Sequence, residues 1–598
     1  MLCFTIVILN NSIPPQGSTC GKLHFQPLLG AITDLFTVRT APSLNAREMS
    51  SQLAENPRLL GDAVAAVPLP PTIPFTLHLA LAWLSALWYT FVWVVCLIGY
   101  IQMFVSSSFF TPLLLTTAFK HRRKKHGRKK LAQDPNNGVS CSALTKNLPF
   151  ISILRPIKGV DPHLTLTLDS TFLQNYPSHL HEILFCVASP RDLCIPIVRS
   201  LIARHPGVSA RLVVGEDDVG PNPKIRTLSK AYREAKGDIV WLLDSNIWVA
   251  RDVLARSVKL LCGFDQFGEA TRLPYKFVHH LPIGVDCVEE PLLDIDQPIQ
   301  SRSPALSSPI AWLQHFISNY GGALEETFLS TSHSKFYTAI NTIAIAPCTL
   351  GKSNMFRKSH LAAITAPDTP GILDFAHNIC EDHMLAERIW VKKLQPEIDG
   401  LEKWGKHALG PDLVFQPIAH MGIKDYCERR TRWLRVRKYA VIAATVLEPG
   451  TESFLCSLIG GYGFVTIVKY YNLRTVFMIP DSWYQCNGIV AFWIVSIMVW
   501  SLCDYLNFKV LRSFEDIPLD HHTPRFIRDV RMKLVRRKWE ASLMGWCCQW
   551  LGREMLALPL FLWAMLPGDV WWRGRRYRVG WNMKVEEVGG ESCAKRAE

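Results

Sequence analysis

The chain has 598 residues, 48% of them hydrophobic, with a net charge of +14 and a mean hydropathy of +0.11. That length holds a large core and more than one structural unit, and the hydropathy is too high for a wholly soluble chain. The 17 cysteines form no CxxC pair and keep no regular spacing, which excludes a disulfide framework and points to a reducing compartment around the main domain.

Residues 1–74 show no clear period, and prolines at 68, 70, 71 and 74 stiffen the approach to the first long apolar segment. This stretch reads as poorly ordered. Phe75–Val105 is almost uncharged and rich in Leu, Ala, Val and Trp, enough to span a bilayer as a helix. The linker 106–147 carries the basic run His121–Lys130. Beside a spanning helix, such a run predicts a cytosolic flank held at anionic headgroups, with the N-terminus lumenal. The rival, a nucleic-acid patch or nuclear signal, explains the position less well.

Residues 148–440 alternate strand-like runs (Phe150–Leu154, Ile183–Ala188, Ala210–Val214, Asp238–Leu243) with helical stretches near 164–174, 192–204 and 223–236. That alternation predicts an α/β domain with a parallel sheet and right-handed crossovers. Residues 289–320, rich in Pro and Ser, read as a flexible insertion, and Thr338–Pro347 as a further strand. Beyond Lys438 the chain turns apolar again. Spans at 454–470 and 488–506 keep the basic segments Arg429–Lys438 and Arg525–Lys538 on the cytosolic side. A full span at 543–566 would strand Arg573, Arg575, Arg576 and Arg578 in the lumen, so that segment is predicted to lie along, or re-enter, the cytosolic leaflet.

Four clusters carry chemistry. The first, Arg155–Asp161, lies just after the first strand; Asp161 sits where it could contact a base or ribose, or simply cap the next helix. The second is Asp244-Ser245-Asn246, with Lys224 upstream. Asn222 caps the helix that Pro223 opens, and the strand Asp238–Leu243 delivers Asp244 at its carboxyl end. A carboxylate there, with an amide two residues on, suits a divalent ion carrying phosphates. The third is His377–His383, in which Glu381 and Asp382 are both eligible as a general base on an acceptor hydroxyl. Zinc is disfavoured, because no second ligand pair stands at zinc-finger spacing. The fourth, Arg429–Lys438 with Trp433, offers bidentate phosphate recognition or a juxtamembrane collar. Gly351-Lys352-Ser353 imitates the end of a P-loop, but the first glycine of that motif would fall at Ala346, so the motif is rejected.

In chain order, Asp161, Asp244, Asp382 and Arg429-x-x-Arg432-Trp433 resemble the D, D, D, (Q/R)xxRW signature of family-2-type glycosyltransferases. RPIKGVDPHL, KFVHHLP, GKSNMFR, ICEDH and RRTRWLRVRK, with PNPKIRTLSKAYREAKGDIVWLLDSN, narrow the resemblance to the fungal branch of ceramide glucosyltransferases, over about residues 75–580. The resemblance implies a GT-A-type nucleotide-sugar domain on the cytosolic face of Golgi or ER membranes, with an N-terminal transmembrane helix and C-terminal membrane helices. It implies glucose transfer, with inversion, from UDP-glucose to the primary hydroxyl of ceramide, and no nucleic-acid partner. Asp161 would bind the uridine portion and Asp244 would coordinate Mg²⁺ or Mn²⁺, assisted by Lys224 on the diphosphate. Asp382 would be the base, and Arg429, Arg432 and Trp433 would close over diphosphate and acceptor. His279 matches a histidine linked to UDP-glucose binding, and His280 is assigned to structure. Asn246 stands where many relatives of the wider superfamily have a second Asp. The rivals are a polysaccharide synthase, which needs more spanning helices for its channel, a dolichyl-phosphate sugar transferase, and a non-catalytic scaffold, which the intact acidic positions oppose.

Overall fold

The structure is a computed structural model that describes residues 75–106, 148–265, 270, 272–287, 317–318, 320–471, 486–513, 517, 519–531, 543–572 and 574–588. Segment 1–74, the basic linker and nearly all of the 289–320 insertion lie outside these residues. The chain divides into two compact units, Met1–Leu81 and Ala82–Glu598. Of the first, only the opening turns of helix α1 (Phe75–Ser106) are described.

The second unit is built on a seven-stranded sheet of order β3-β2-β1-β4-β6-β5-β7. β1 (Ile151–Ile157), β2 (His181–Val187), β3 (Ser209–Val214) and β4 (Ile239–Leu243) run parallel, joined by α2 (Leu164–Phe172), α3 (Ile195–Arg204) and α4 (Pro223–Glu234). β1, β2 and β4 are buried along their whole length, as strands covered by helices on both faces must be. Successive side chains of β1 feed two cores: Ile151, Ile153 and Ile157 pack with α2, α3 and α5 (Val253–Cys262), and Leu154 packs with α4. Gly237 passes so close to β1 that a Cβ there would stand 2.8 Å from the Phe150 carbonyl oxygen. The crossing therefore requires glycine, a stronger reason than ending the helix, which already stops at Glu234.

The far half of the sheet departs from expectation. β6 (Ser353–Arg357) runs antiparallel to both β4 and β5 (Phe277–Asp286), and β5 pairs parallel with β7 (Ala408–Ile418), so the sheet is mixed. Residues 338–343, expected as strand, belong to helix α7 (Ser334–Ile343), which comes after α6 (Gly321–Phe328) and a π turn, Leu329–His333. The β-branched residues there suggest a strand. Burial of Ser334, Lys335, Tyr337, Thr338, Ala339 and Asn341 instead traces a helical face.

β5 and β7 join the soluble domain to the membrane region. Leu281, Ile283, Val285 and Phe415 pack in one cluster with Val92, Cys96 and Tyr100 of α1 and with Trp500, Trp546 and Trp550. Among the described residues, three helices have the length and apolar composition to cross a bilayer: Leu77–Phe104, Ser453–Tyr470 and Asn487–Leu511. They lie within α1, in helix Ser453–Tyr470 itself and within Cys486–Leu511. Polar contacts tie them together. Tyr100 donates to Asp504 (2.6 Å), which also pairs with Lys335 of α7 (2.9 Å) and accepts from Trp550 (2.9 Å).

Helix Leu543–Met565 buries Arg553 and Glu554, and Arg553 forms ion pairs with Glu452 and Glu554. Before it, Asp520 pairs with Arg251 (2.9 Å) and Phe526 meets the His163 ring. After it, β8 (Val570–Trp572), β9 (Arg575–Val579) and β10 (Val585–Glu587) form a small antiparallel sheet. The Val585 N–H donates to the His377 carbonyl (2.9 Å), and the Asn378 amide donates to the Met583 carbonyl (3.2 Å). Both flanks of this helix thus rest on the same domain.

His279 and His280 of β5 are wholly buried. Burial holds both rings neutral, His280 down to about 4 and His279 well below the ordinary value. A histidine with a depressed folded pKa contributes stability above its unfolded value near 6.5 and loses it as pH falls through the folded value. His280 alone accounts for roughly 3 kcal/mol across that window. The melting temperature of the detergent-solubilised protein should therefore drop steeply between about pH 6.5 and 4; a flat profile there would contradict this account.

Candidate active site

The helix-strand unit that opens the site is set by local chemistry. The Asn222 side chain accepts from the backbone N–H of Lys224 (2.8 Å) and Ile225 (3.1 Å), with Pro223 at the first helical position. Its amide turns the other way, donating to the Asn378 carbonyl (2.6 Å) and to Glu381 (3.1 Å). One residue thereby joins the start of α4 to the approach to α8 (Glu381–Val391).

Asp244 leaves the end of β4 between two ammonium groups. Lys224 Nζ lies 2.9 Å from Oδ1 and Lys352 Nζ lies 3.2 Å from Oδ2. Burial alone would raise this carboxyl, but the two lysines outweigh it and hold it down to about 2. Lys224 also pairs with Glu381 (3.2 Å) and donates to the Gly351 carbonyl (2.9 Å). Lys352 donates to Asn246 Oδ1 (3.1 Å), and its carbonyl accepts from the Asp244 N–H (3.0 Å). Gly351 sits between the two acidic positions. A Cβ there would stand 2.9 Å from Lys224 Nζ and 3.3 Å from Asp382 Oδ2.

The paired carboxylates of α8 are not equivalent. Glu381 is buried and bound to Lys224 and Asn222; burial raises its pKa, against the pull of Lys224. Asp382 is partly exposed and forms no ion pair among the described residues; its side chain accepts only a long contact from the Cys380 thiol (3.6 Å). Asp161 accepts from the Ser245 hydroxyl (2.8 Å) and does not cap α2, whose N-terminus has no side-chain cap. That hydrogen bond ties Asp161 to the turn that follows Asp244.

The arginines come from α9 (Ile423–Ala440). Arg429 pairs with Glu325 (2.7 Å) and stacks over Trp433 (4.7 Å to the ring centroid). Its charge reaches Lys352. Arg432 makes no hydrogen bond or ion pair among the described residues. Burial and the neighbouring Arg429 push it down to about 10, as befits a cation short of a counter-ion.

His279 is not brought to this cluster. It has no exposed atom, and its Nδ1 meets the Tyr337 hydroxyl inside the sheet. Tyr337 in turn lies within electrostatic reach of Asp382. His280 is held by the hydroxyls of Ser353 (2.8 Å) and Ser257 (3.0 Å). Two residues escape sequence reasoning. Lys352 stands out in sequence only as part of a rejected P-loop. Arg155 is fully buried beneath the site and donates to the carbonyls of Thr167, Ser245 and Ile247 (3.1 Å each), fixing the turn after Asp244.

Asp244 and Asn246 offer the hard oxygen donors that Mg²⁺ or Mn²⁺ takes, so the donor chemistry fits such an ion. No group of three or more His, Cys, Asp or Glu side chains suited to a metal occurs among the described residues. Any ion here would complete its shell with water and phosphate oxygens.

A mixed α/β sheet, acidic side chains at the carboxyl end of its parallel half and an Arg-Trp helix beside helices long and apolar enough to cross a bilayer are the parts of a membrane-attached glycosyltransferase. Comparison with known proteins gives the particular group. The profile of glycosyl transferase family 21 matches residues 101–282 and 315–585, and the chain belongs to that family. The ceramide glucosyltransferase of Gibberella zeae is 38% identical over 477 residues, 75% of this chain and 87% of the relative. That of Pyricularia oryzae is 34% identical over 85% of this chain and 95% of its own length. Among solved structures, the mannosyltransferase PcManGT of Pyrobaculum calidifontis, in complex with GDP-Man and Mn²⁺, covers 70% of this chain and 98% of its own, at 15% identity and a TM-score of 0.32, a likeness too slight to argue from.

Proposed function

We propose that this chain transfers glucose from UDP-glucose to the primary hydroxyl of ceramide, forming β-glucosylceramide by inversion. The observation that carries the reading is the place of Gly351: with no side chain there, Lys224 and Asp382, which has no ion pair among the described residues, face one another across a single residue. Asp382 takes the proton from the acceptor hydroxyl as its oxygen attacks the anomeric carbon and the bond to UDP breaks. Lys224, Arg429 and Arg432 stabilise the charge that collects on the departing diphosphate. Asp161 holds the uridine portion, and Trp433 closes over the acceptor. Mg²⁺ or Mn²⁺, held by Asp244 with Asn246, would neutralise the diphosphate. Relatives of this chain that carry the name ceramide glucosyltransferase support the acceptor. The membrane helices packed on β5 and β7 support an acceptor that stays in the bilayer. The basic Arg429–Lys438 segment supports a catalytic domain on the cytosolic side, in Golgi or ER membranes.

Membranes containing the protein, given labelled UDP-glucose, should convert ceramide to glucosylceramide and leave dolichyl phosphate unlabelled. Labelling of dolichyl phosphate in preference to ceramide would overturn the reading.

A further inference from the structure

We propose that Lys352 is a built-in cation of the diphosphate site: its ammonium, which rests on Asp244 and Asn246, passes to the diphosphate when a nucleotide sugar binds, releasing both oxygens to a divalent ion. The inference rests on the donor half of the function proposed above, a nucleoside-diphosphate sugar.

The two lysines at Asp244 differ in how they are held. Lys224 directs its ammonium to Asp244, Glu381 and the Gly351 carbonyl, which uses the three donors that an ammonium has. It is fixed between α4, α8 and the loop before β6. Among the described residues, Lys352 directs its ammonium only to Asp244 Oδ2 (3.2 Å) and Asn246 Oδ1 (3.1 Å), leaving one donor over. Those are the two side chains that would ligate a divalent ion. An ammonium resting on Asp244 Oδ2 and Asn246 Oδ1 opposes a divalent ion at those same two atoms, because like charges at contact distance repel.

The backbone allows the exchange without moving the loop. The Lys352 carbonyl is hydrogen-bonded to the Asp244 N–H, and Ser353 begins β6, which is paired with β4. The root of the side chain is therefore anchored beside Asp244, while its four-carbon stem can redirect the charge. Arg429 and Lys224 both act on Lys352 with like charge. An arriving diphosphate relieves that repulsion, so donor binding favours the move. Metal and donor then bind as a set, each strengthening the other.

The test uses the full-length protein in nanodiscs, with Mn²⁺ binding read by electron paramagnetic resonance and UDP binding by calorimetry, in the absence of glucose and ceramide. The wild type should bind Mn²⁺ at least ~10-fold more weakly without UDP than with it. Lys352→Met should bind Mn²⁺ without UDP at least ~10-fold more tightly than the wild type, and should bind UDP more weakly in Mn²⁺. Lys352→Arg, which keeps the charge, should remain close to wild type in UDP-free Mn²⁺ affinity. It secures the test if Lys352→Met does not fold, because Lys352→Gln can then be compared with it. Equal UDP-free Mn²⁺ affinity with and without the positive charge at 352 would overturn the proposal. Because no sugar or lipid is present, failure here is distinct from failure of ceramide glucosylation, which would sink the acceptor assignment and leave Lys352 untouched.

Discussion

Asp382→Asn should lower turnover by ~10²-fold or more while leaving UDP affinity unchanged. The expectation comes from the contrast within α8. Glu381 is committed to Lys224 and Asn222, whereas the Asp382 carboxylate is partly exposed and unpaired among the described residues. Asparagine keeps the shape and removes the ability to take a proton, so the loss should fall on kcat rather than on donor KM. Glu381→Gln should do the reverse. It weakens the hold on Lys224, and so on the diphosphate, and should raise the donor KM more than it lowers kcat. Steady-state kinetics with ceramide in mixed micelles would separate the two. Near-normal turnover in Asp382→Asn would remove it from the role of base.

The second large effect is structural. Arg553→Met should destabilise the protein by about 3–5 kcal/mol, seen as a marked drop in melting temperature in detergent. Arg553 is buried between Glu452 and Glu554, and Glu554 also accepts from the Ser453 hydroxyl (2.6 Å). Methionine nearly preserves the volume but leaves two carboxylates facing each other without a cation. Desolvation, not the lost attraction, dominates the cost. Adding Glu452→Gln and Glu554→Gln should therefore recover much of the loss. A variant as stable as wild type would mean that water reaches this network.

The legible parts of the site are those coded by neighbours in sequence. An apolar run ending in Asp244-Ser245-Asn246, and a helix opened by Asn222-Pro223, each announce themselves locally. β5 and β7 are hard to recognise as strands because both contain proline, at Pro282 and at Pro411 and Pro417, which ordinarily argues against a central strand. The antiparallel β6 depends on a return of the chain that no local pattern encodes. Lys352 is the clearest case. Its residue type and its glycine neighbour are visible, but its partner Asp244 lies over a hundred residues away, and only the β4–β6 pairing brings them together. The residue types alone leave Glu381 and Asp382 both eligible; the family resemblance points to Asp382, and the fold adds that Glu381 is already engaged by Lys224 and Asn222.

The pairing of β10 with His377 and Asn378 has a consequence for biosynthesis. The segment that leads into Asp382 receives part of its backbone support from Val585 and Met583, the Asn378–Met583 bond spanning 205 residues of chain. The sheet domain can fold around β1 to β7 while the chain is still being made, but the approach to its acidic pair is braced only once residues 583 and 585 have been made. A message with a stop codon just before Val570 would encode every side chain assigned to the reaction and still yield a protein in which the approach to Asp382 is poorly held.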